Sequence, residues 1–132
     1  RDRSRFAAEL FGEPQVFEGT IYADRIVTPL GEWERCALVD PVASNGDALL
    51  VVDADRLELQ PDDNGPLIND IQSFGRFTRV SFDGTGGELT VILNWPKNAG
   101  TAIGVGSRVR VVPKSGAVFA SPSAVEYNND SH

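Results

Sequence analysis

Side chains that carry chemistry are sparse in this sequence. One histidine, His132, stands at the last position of a polar tail, and one cysteine, Cys36, stands between Arg35 and Ala37. A Ser-His-Asp or Cys-His relay needs its base beside its nucleophile, and one terminal histidine argues against both. Cys36 reads as a buried, inert thiol in an apolar stretch, because a reactive thiolate needs an electropositive partner. A single cysteine also excludes an internal disulfide and a cysteine-based zinc site. The strings Gly84-Thr85-Gly86-Gly87 and Gly104-Val105-Gly106 lack the Gly-Lys-Ser/Thr of a phosphate loop and the third glycine of a dinucleotide fingerprint, so both read as turns. Asp53, Asp55 and Glu58, with Asp62 and Asp63, offer oxygen ligands for a hard cation but not EF-hand spacing, and read as a solvated acidic loop. The guanidinium pairs remain. Arg76 with Arg79, and Arg108 with Arg110, are the candidate effector or partner contacts, since guanidinium suits an oxyanion or a partner's carboxylate. Strand alternation puts Arg108 and Arg110 on one outward face. No residue is assigned a catalytic, cofactor or metal role, and the chain reads as non-enzymatic.

Composition narrows the class. The chain has 132 residues, 41% hydrophobic and 23% charged, which suits one globular domain with its own core. No apolar run approaches the roughly 20 residues of a membrane-spanning helix. Twelve Lys and Arg against nineteen Asp and Glu leave a net charge of −7, which argues against a nucleic-acid partner. Trp33 and Trp95 are expected in the core or an interface, because base stacking would need basic surroundings. There is no methionine and residue 1 is arginine, so the expectation is that further chain precedes Arg1.

The elements that position these residues are short. Residues 1–12 read as a helix: Phe6, Leu10 and Phe11 share a face, Asp2 caps the start, and Gly12 with Pro14 stops it. After that the pattern turns to β. Strands are expected at 16–22 (interrupted at Gly19), 25–28, 33–39, 48–52, 56–59, 68–74, 77–82, from Leu89 to Trp95, at 108–112 and at 118–120. Pro29-Leu30-Gly31 and residues 83–87 form hairpin turns, and the apolar run 48–52 is expected to be central. With no helical crossover between strands, an α/β layout is excluded. The expectation is an all-β, OB-type barrel of short strands with one short N-terminal helix, the domain running over 13–122 and a frayed tail over 123–132.

Several segments resemble a known family. Residues 5–20, Arg5-Phe6-Ala7-Ala8-Glu9-Leu10-Phe11-Gly12-Glu13-Pro14-Gln15-Val16-Phe17-Glu18-Gly19-Thr20, are similar to the helix that leaves the ATP-binding domain of bacterial ABC importers and enters a C-terminal domain. Leu49-Leu50-Val51-Val52-Asp53-Ala54-Asp55-Arg56-Leu57-Glu58-Leu59, residues 71–82, Gly104-Val105-Gly106-Ser107-Arg108-Val109-Arg110-Val111 and Ala117-Val118-Phe119 follow in the family's order. The chain thus resembles the transport-associated OB (TOBE-type) regulatory domain, and Thr28-Pro29-Leu30-Gly31 fits the ferric-iron and polyamine branch. Two positions depart: Asp53-Ala54-Asp55 replaces Arg-Pro-Glu, and Gln15 replaces an asparagine.

The resemblance implies a regulatory and dimerisation role at the cytoplasmic face of the membrane. It implies as partners a second copy, the nucleotide-binding domain of the same chain and membrane permease subunits. Residues 1–12 then become the linker from that domain, which would hold the ATP and Mg²⁺; this chain needs no cofactor. The alternative is a free-standing OB domain of the molybdate-binding type, taking a small oxyanion at a subunit interface through backbone N–H groups, with Gly84–Gly87 and Gly104–Gly106 as candidate turns.

Overall fold

The computed structural model describes residues 15–84, 87–94 and 102–122. The helix expected over 1–12, the tail 123–132 and Trp95 lie outside the described residues. Ten strands follow one another in this region: β1 (Gln15–Tyr22), β2 (Arg25–Thr28), β3 (Gly31–Glu34), β4 (Gly46–Val52), β5 (Leu57–Pro61), β6 (Ile68–Phe74), β7 (Phe77–Gly84), β8 (Gly87–Leu93), β9 (Val109–Pro113) and β10 (Val118–Pro122). They form a five-stranded sheet in the order β10-β4-β1-β2-β3, a pair β5-β9 and a three-stranded sheet β6-β7-β8, every strand pairing antiparallel.

The apolar run in β4 makes that strand central, between β1 and β10, with Leu50 and Val52 fully buried. Alternation sends Val80 and Phe82 of β7, and Val109 and Val111 of β9, into the same core as Ile26 and Ile68. Main-chain bonds at the corners curl the sheets around it. Ile68 N–H donates to Ser107 O at 2.9 Å and Val109 N–H to Pro66 O at 3.1 Å, joining the start of β6 to β9. Val39 N–H donates to Val118 O at 2.8 Å, and Asn94 N–H to Ala54 O at 3.1 Å. This is an all-β fold of the OB type.

Four local expectations change. The strand expected over 33–39 stops at Glu34 and passes into a 3₁₀ turn, Arg35–Ala37. The reason is Arg35. Its guanidinium donates to Pro41 O at 2.6 Å and Asn45 Oδ1 at 2.9 Å, and also to Ala23 O and Ala43 O, gathering the chain around itself. The turn brings Cys36 to the surface, where its Sγ lies 3.6 Å from Glu34 Oε1, so the thiol is exposed rather than buried. Gly19 does not interrupt β1. A Cβ there would stand 2.5 Å from Leu50 Cδ1 and 2.7 Å from Val27 O, so glycine is required for close packing inside a continuous strand. Residues 54–56 form a second 3₁₀ turn, started by Asp53, whose carboxylate accepts from Asp55 N–H at 3.0 Å; the strand begins at Leu57 and includes Pro61.

Candidate functional site

Two grooves of about 470 Å³ each open on the described surface. The first lies between the start of β1 and the outward face of the β6-β7-β8 sheet, lined by Gln15, Val16, Phe17, Asp70, Arg79, Ser81, Glu88, Thr90 and Ile92. Register builds it. Ser81 stands opposite Thr90 across the β7–β8 ladder, and their hydroxyls lie 3.3 Å apart. Two residues before Ser81 on the same face, Arg79 stands between Gln72 and Ile92. Its guanidinium donates to Gln72 Oε1 and lies 5.2 Å from the Phe74 ring centroid, so the charge leans toward β6 at the edge of the groove that the hydroxyl pair lines. The exposed carboxylates Asp70 and Glu88 also line the groove. One wall is fixed by Gln15, whose buried amide accepts from Ile92 N–H at 3.0 Å and donates to Ile92 O.

The second groove separates β3 from β5 and β9, and Arg25, Glu32, Glu34, Asp62 and Arg110 carry its charges. Trp33 Nε1 crosses it to donate to Val111 O at 2.8 Å.

The four arginines singled out by sequence do not converge. Arg79 belongs to the first groove and Arg110 to the second, where it donates to Gln60 Oε1 at 3.0 Å. Arg108 and Arg110 are both exposed with Val109 buried between them, as alternation requires, and Arg108 donates to Gly65 O at 3.0 Å. Arg76 sits in the β6–β7 turn, 3.5 Å from Asp55 Oδ2 and 4.5 Å over the Phe77 ring. The carboxylates disperse as well. Asp53 caps its own turn, Asp55 also accepts from Asn94 Nδ2 at 3.1 Å, Glu58 pairs with Lys114 at 3.5 Å, and Asp62 accepts from Asn64 N–H at 3.0 Å. Among the described residues no group of three His, Cys, Asp or Glu side chains converges as a metal site would require. Gly104–Ser107 is a reverse turn closed by Ser107 N–H to Gly104 O at 3.0 Å, and Gly84 pairs with Gly87 at the end of the β7–β8 hairpin.

Sequence reasoning passes over Ser81, Thr90 and the clamp made by Gln15. Polar residues at outward positions of neighbouring strands are visible in the sequence, but their pairing depends on the β7–β8 register. Gln15 and Ile92 lie 77 positions apart, and no local signal joins them.

No protein-family model matches the chain, and no curated protein matches it. Among solved structures the chain is similar to the cytoplasmic molybdate-binding protein ModG, crystallised with molybdate bound, at a TM-score of 0.52 and 19% identity over 83% of this chain and 96% of ModG. At that identity the likeness is one of fold. Among the described residues no helix is long and apolar enough to cross a membrane.

Proposed function

We propose that this chain is a non-catalytic binding module of the OB type whose ligand is a small tetrahedral oxyanion of the molybdate, tungstate or sulfate class. The observation that carries the reading is that one groove is lined by both Arg79 and the Ser81–Thr90 hydroxyl pair. A tetrahedral oxyanion presents only acceptors, and a guanidinium with two hydroxyls supplies donors at fixed positions. The fold shared with a molybdate-binding protein supports the same reading. Asp70 and Glu88 oppose a dianion in this groove, so binding rests on directed hydrogen bonds rather than on the net field.

The test is thermal unfolding with molybdate, tungstate and sulfate in turn. A ligand at a hundred times its dissociation constant adds about 2.7 kcal/mol, which raises the midpoint by roughly 8–13 °C for a domain of this size. Arg79→Gln should abolish the shift, and Glu88→Gln should enlarge it. No shift with any of the three anions at about 10 mM, on the order of a hundredfold above a sub-millimolar constant, refutes the reading.

A second reading is supported by the order in which the segments resembling the ABC-importer family run along the chain. In it the same module is the C-terminal regulatory and dimerisation domain of an importer ATPase, with the nucleotide-binding domain, a second copy and the permease subunits as partners. An immunoblot of the source cells with an antibody against residues 15–122 distinguishes the two. A band several times the mass of 132 residues favours the importer reading, and a band at that mass favours the free-standing binder.

A further inference from the structure

The first groove holds acceptors as well as donors, and their positions bear on which oxyanion fits it. Across the β6-β7-β8 sheet, Asp70, Ser81 and Thr90 stand in one row, with Ser81 facing Asp70 on one side and Thr90 on the other. Residues that face each other across a ladder have Cβ atoms about 4.5–5.5 Å apart. Glu88 precedes Thr90 by two positions on the same face, about 7 Å along β8. Both carboxylates line the groove and both residues are exposed. Asp83 faces Glu88 in register, but its carboxylate accepts from Asn69 Nδ2 at 2.6 Å and does not line the groove. The hydroxyl pair is therefore flanked by Asp70 across the ladder and by Glu88 along it.

An ionised carboxylate only accepts hydrogen bonds. At pH 8 sulfate, molybdate and tungstate are proton-free dianions that also only accept, so Asp70 and Glu88 act on them by repulsion alone. Hydrogenphosphate and hydrogenarsenate have the same tetrahedral shape and the same charge, yet each keeps one hydroxyl. That hydroxyl can donate to a carboxylate while the other oxygens accept from Ser81, Thr90 and Arg79. Repulsion is common to all these dianions and cancels when they are compared. What differs is one hydrogen bond to a charged acceptor, which is among the stronger kinds. Hydroxyls and a guanidinium alone would not make the distinction.

We propose that the first groove prefers a tetrahedral oxyanion that keeps a proton, of the hydrogenphosphate or hydrogenarsenate kind, with Asp70 and Glu88 accepting from its hydroxyl. This inference rests on the oxyanion reading of the groove and identifies the two carboxylates as its specificity-determining residues.

The test is an NMR titration of the isotopically labelled chain at pH 8 and constant ionic strength, read at the Ser81 and Thr90 amides. The probes are phosphate, arsenate, sulfate and methyl phosphate. Methyl phosphate distinguishes free phosphate from a phosphate ester, because an ester with a second pKa of about 6 has lost its last proton at this pH. Phosphate and arsenate should bind about tenfold more tightly than sulfate and methyl phosphate. In the double variant Asp70→Asn with Glu88→Gln the preference should fall below about twofold while sulfate binds more tightly; both residues are exposed, so the fold is kept. Equal binding of phosphate and sulfate by the parent chain overturns the inference and leaves the oxyanion reading standing. The same holds if methyl phosphate matches phosphate, or if the preference survives in the double variant. No change at either amide with any anion overturns the oxyanion reading and this inference together.

Discussion

The clamp made by Gln15 permits a quantitative test of how this fold is closed. Strand β1 pairs with β2 and β4, and no ladder joins it to β8; the amide of Gln15 stands in for one by bonding both main-chain groups of Ile92. Gln15 is 6% exposed and Ile92 5% exposed, so water replaces those bonds poorly. Gln15→Leu conserves most of the volume and strands one N–H and one C=O. Each buried orphan costs about 1–3 kcal/mol, and the neighbouring groove admits some water, so the expected loss is about 2–4 kcal/mol. That is a large share of the roughly 5–15 kcal/mol that holds an ordinary domain together. In urea, at a slope of about 2 kcal/mol per molar, the midpoint should fall by about 1–2 M with the slope unchanged. Exchange at the Ile92 amide should also accelerate more than at Val80, which sits inside a ladder. Gln15→Glu adds a sign. Its carboxylate still accepts from Ile92 N–H but faces Ile92 O, so the variant is destabilised at neutral pH. It should recover as pH falls, because the protonated acid donates and the folded state favours that form. A loss below about 0.5 kcal/mol for Gln15→Leu would refute the idea that this side chain closes the seam.

Three further outcomes follow from single contacts. Gly65→Ala should cost about 3 kcal/mol in a denaturant melt, because its Cβ would lie 2.0 Å from Val109 O, a backbone atom of β9 whose residue is anchored on this side by its N–H to Pro66 O. Trp33→Phe should cost about 1–3 kcal/mol by calorimetry, since it removes the donor to Val111 O in a residue only 3% exposed. Arg35→Met should leave the core intact and free the loop that its guanidinium gathers. Limited proteolysis should then cut within residues 39–45, where Val42 is already 87% exposed, while the parent chain resists.

Short apolar runs and turn residues make most of the strands legible in the sequence itself. The run 48–52 could be buried on both sides only as a central strand, and Pro29-Leu30-Gly31 could only reverse the chain, with Gly31 at φ +119°. The scarcity of catalytic chemistry is legible too, because it depends on residue types rather than on positions. Local expectation fails where a distant partner outweighs it. Arg35 bends the chain out of β3 through acceptors up to 12 positions away, and this exposes Cys36, whose apolar neighbours suggest burial. Gly19 looks like a break and is a packing requirement, because Leu50 and Val27 occupy the space a Cβ would need.

The candidate sites belong almost wholly to the tertiary level. Strand alternation is readable for Arg108 and Arg110, but which outward residues face each other depends on register, and register depends on loop lengths and core packing. The Ser81–Thr90 pair and the groove it lines with Arg79 exist only once β7 has paired with β8, and the Trp33–Val111 bond only once β9 has reached β3. Composition and periodicity determined that this chain folds as short antiparallel strands around one core. Closure of that core decided which polar side chains share a groove, because contacts between residues far apart in sequence leave no periodic trace along the chain.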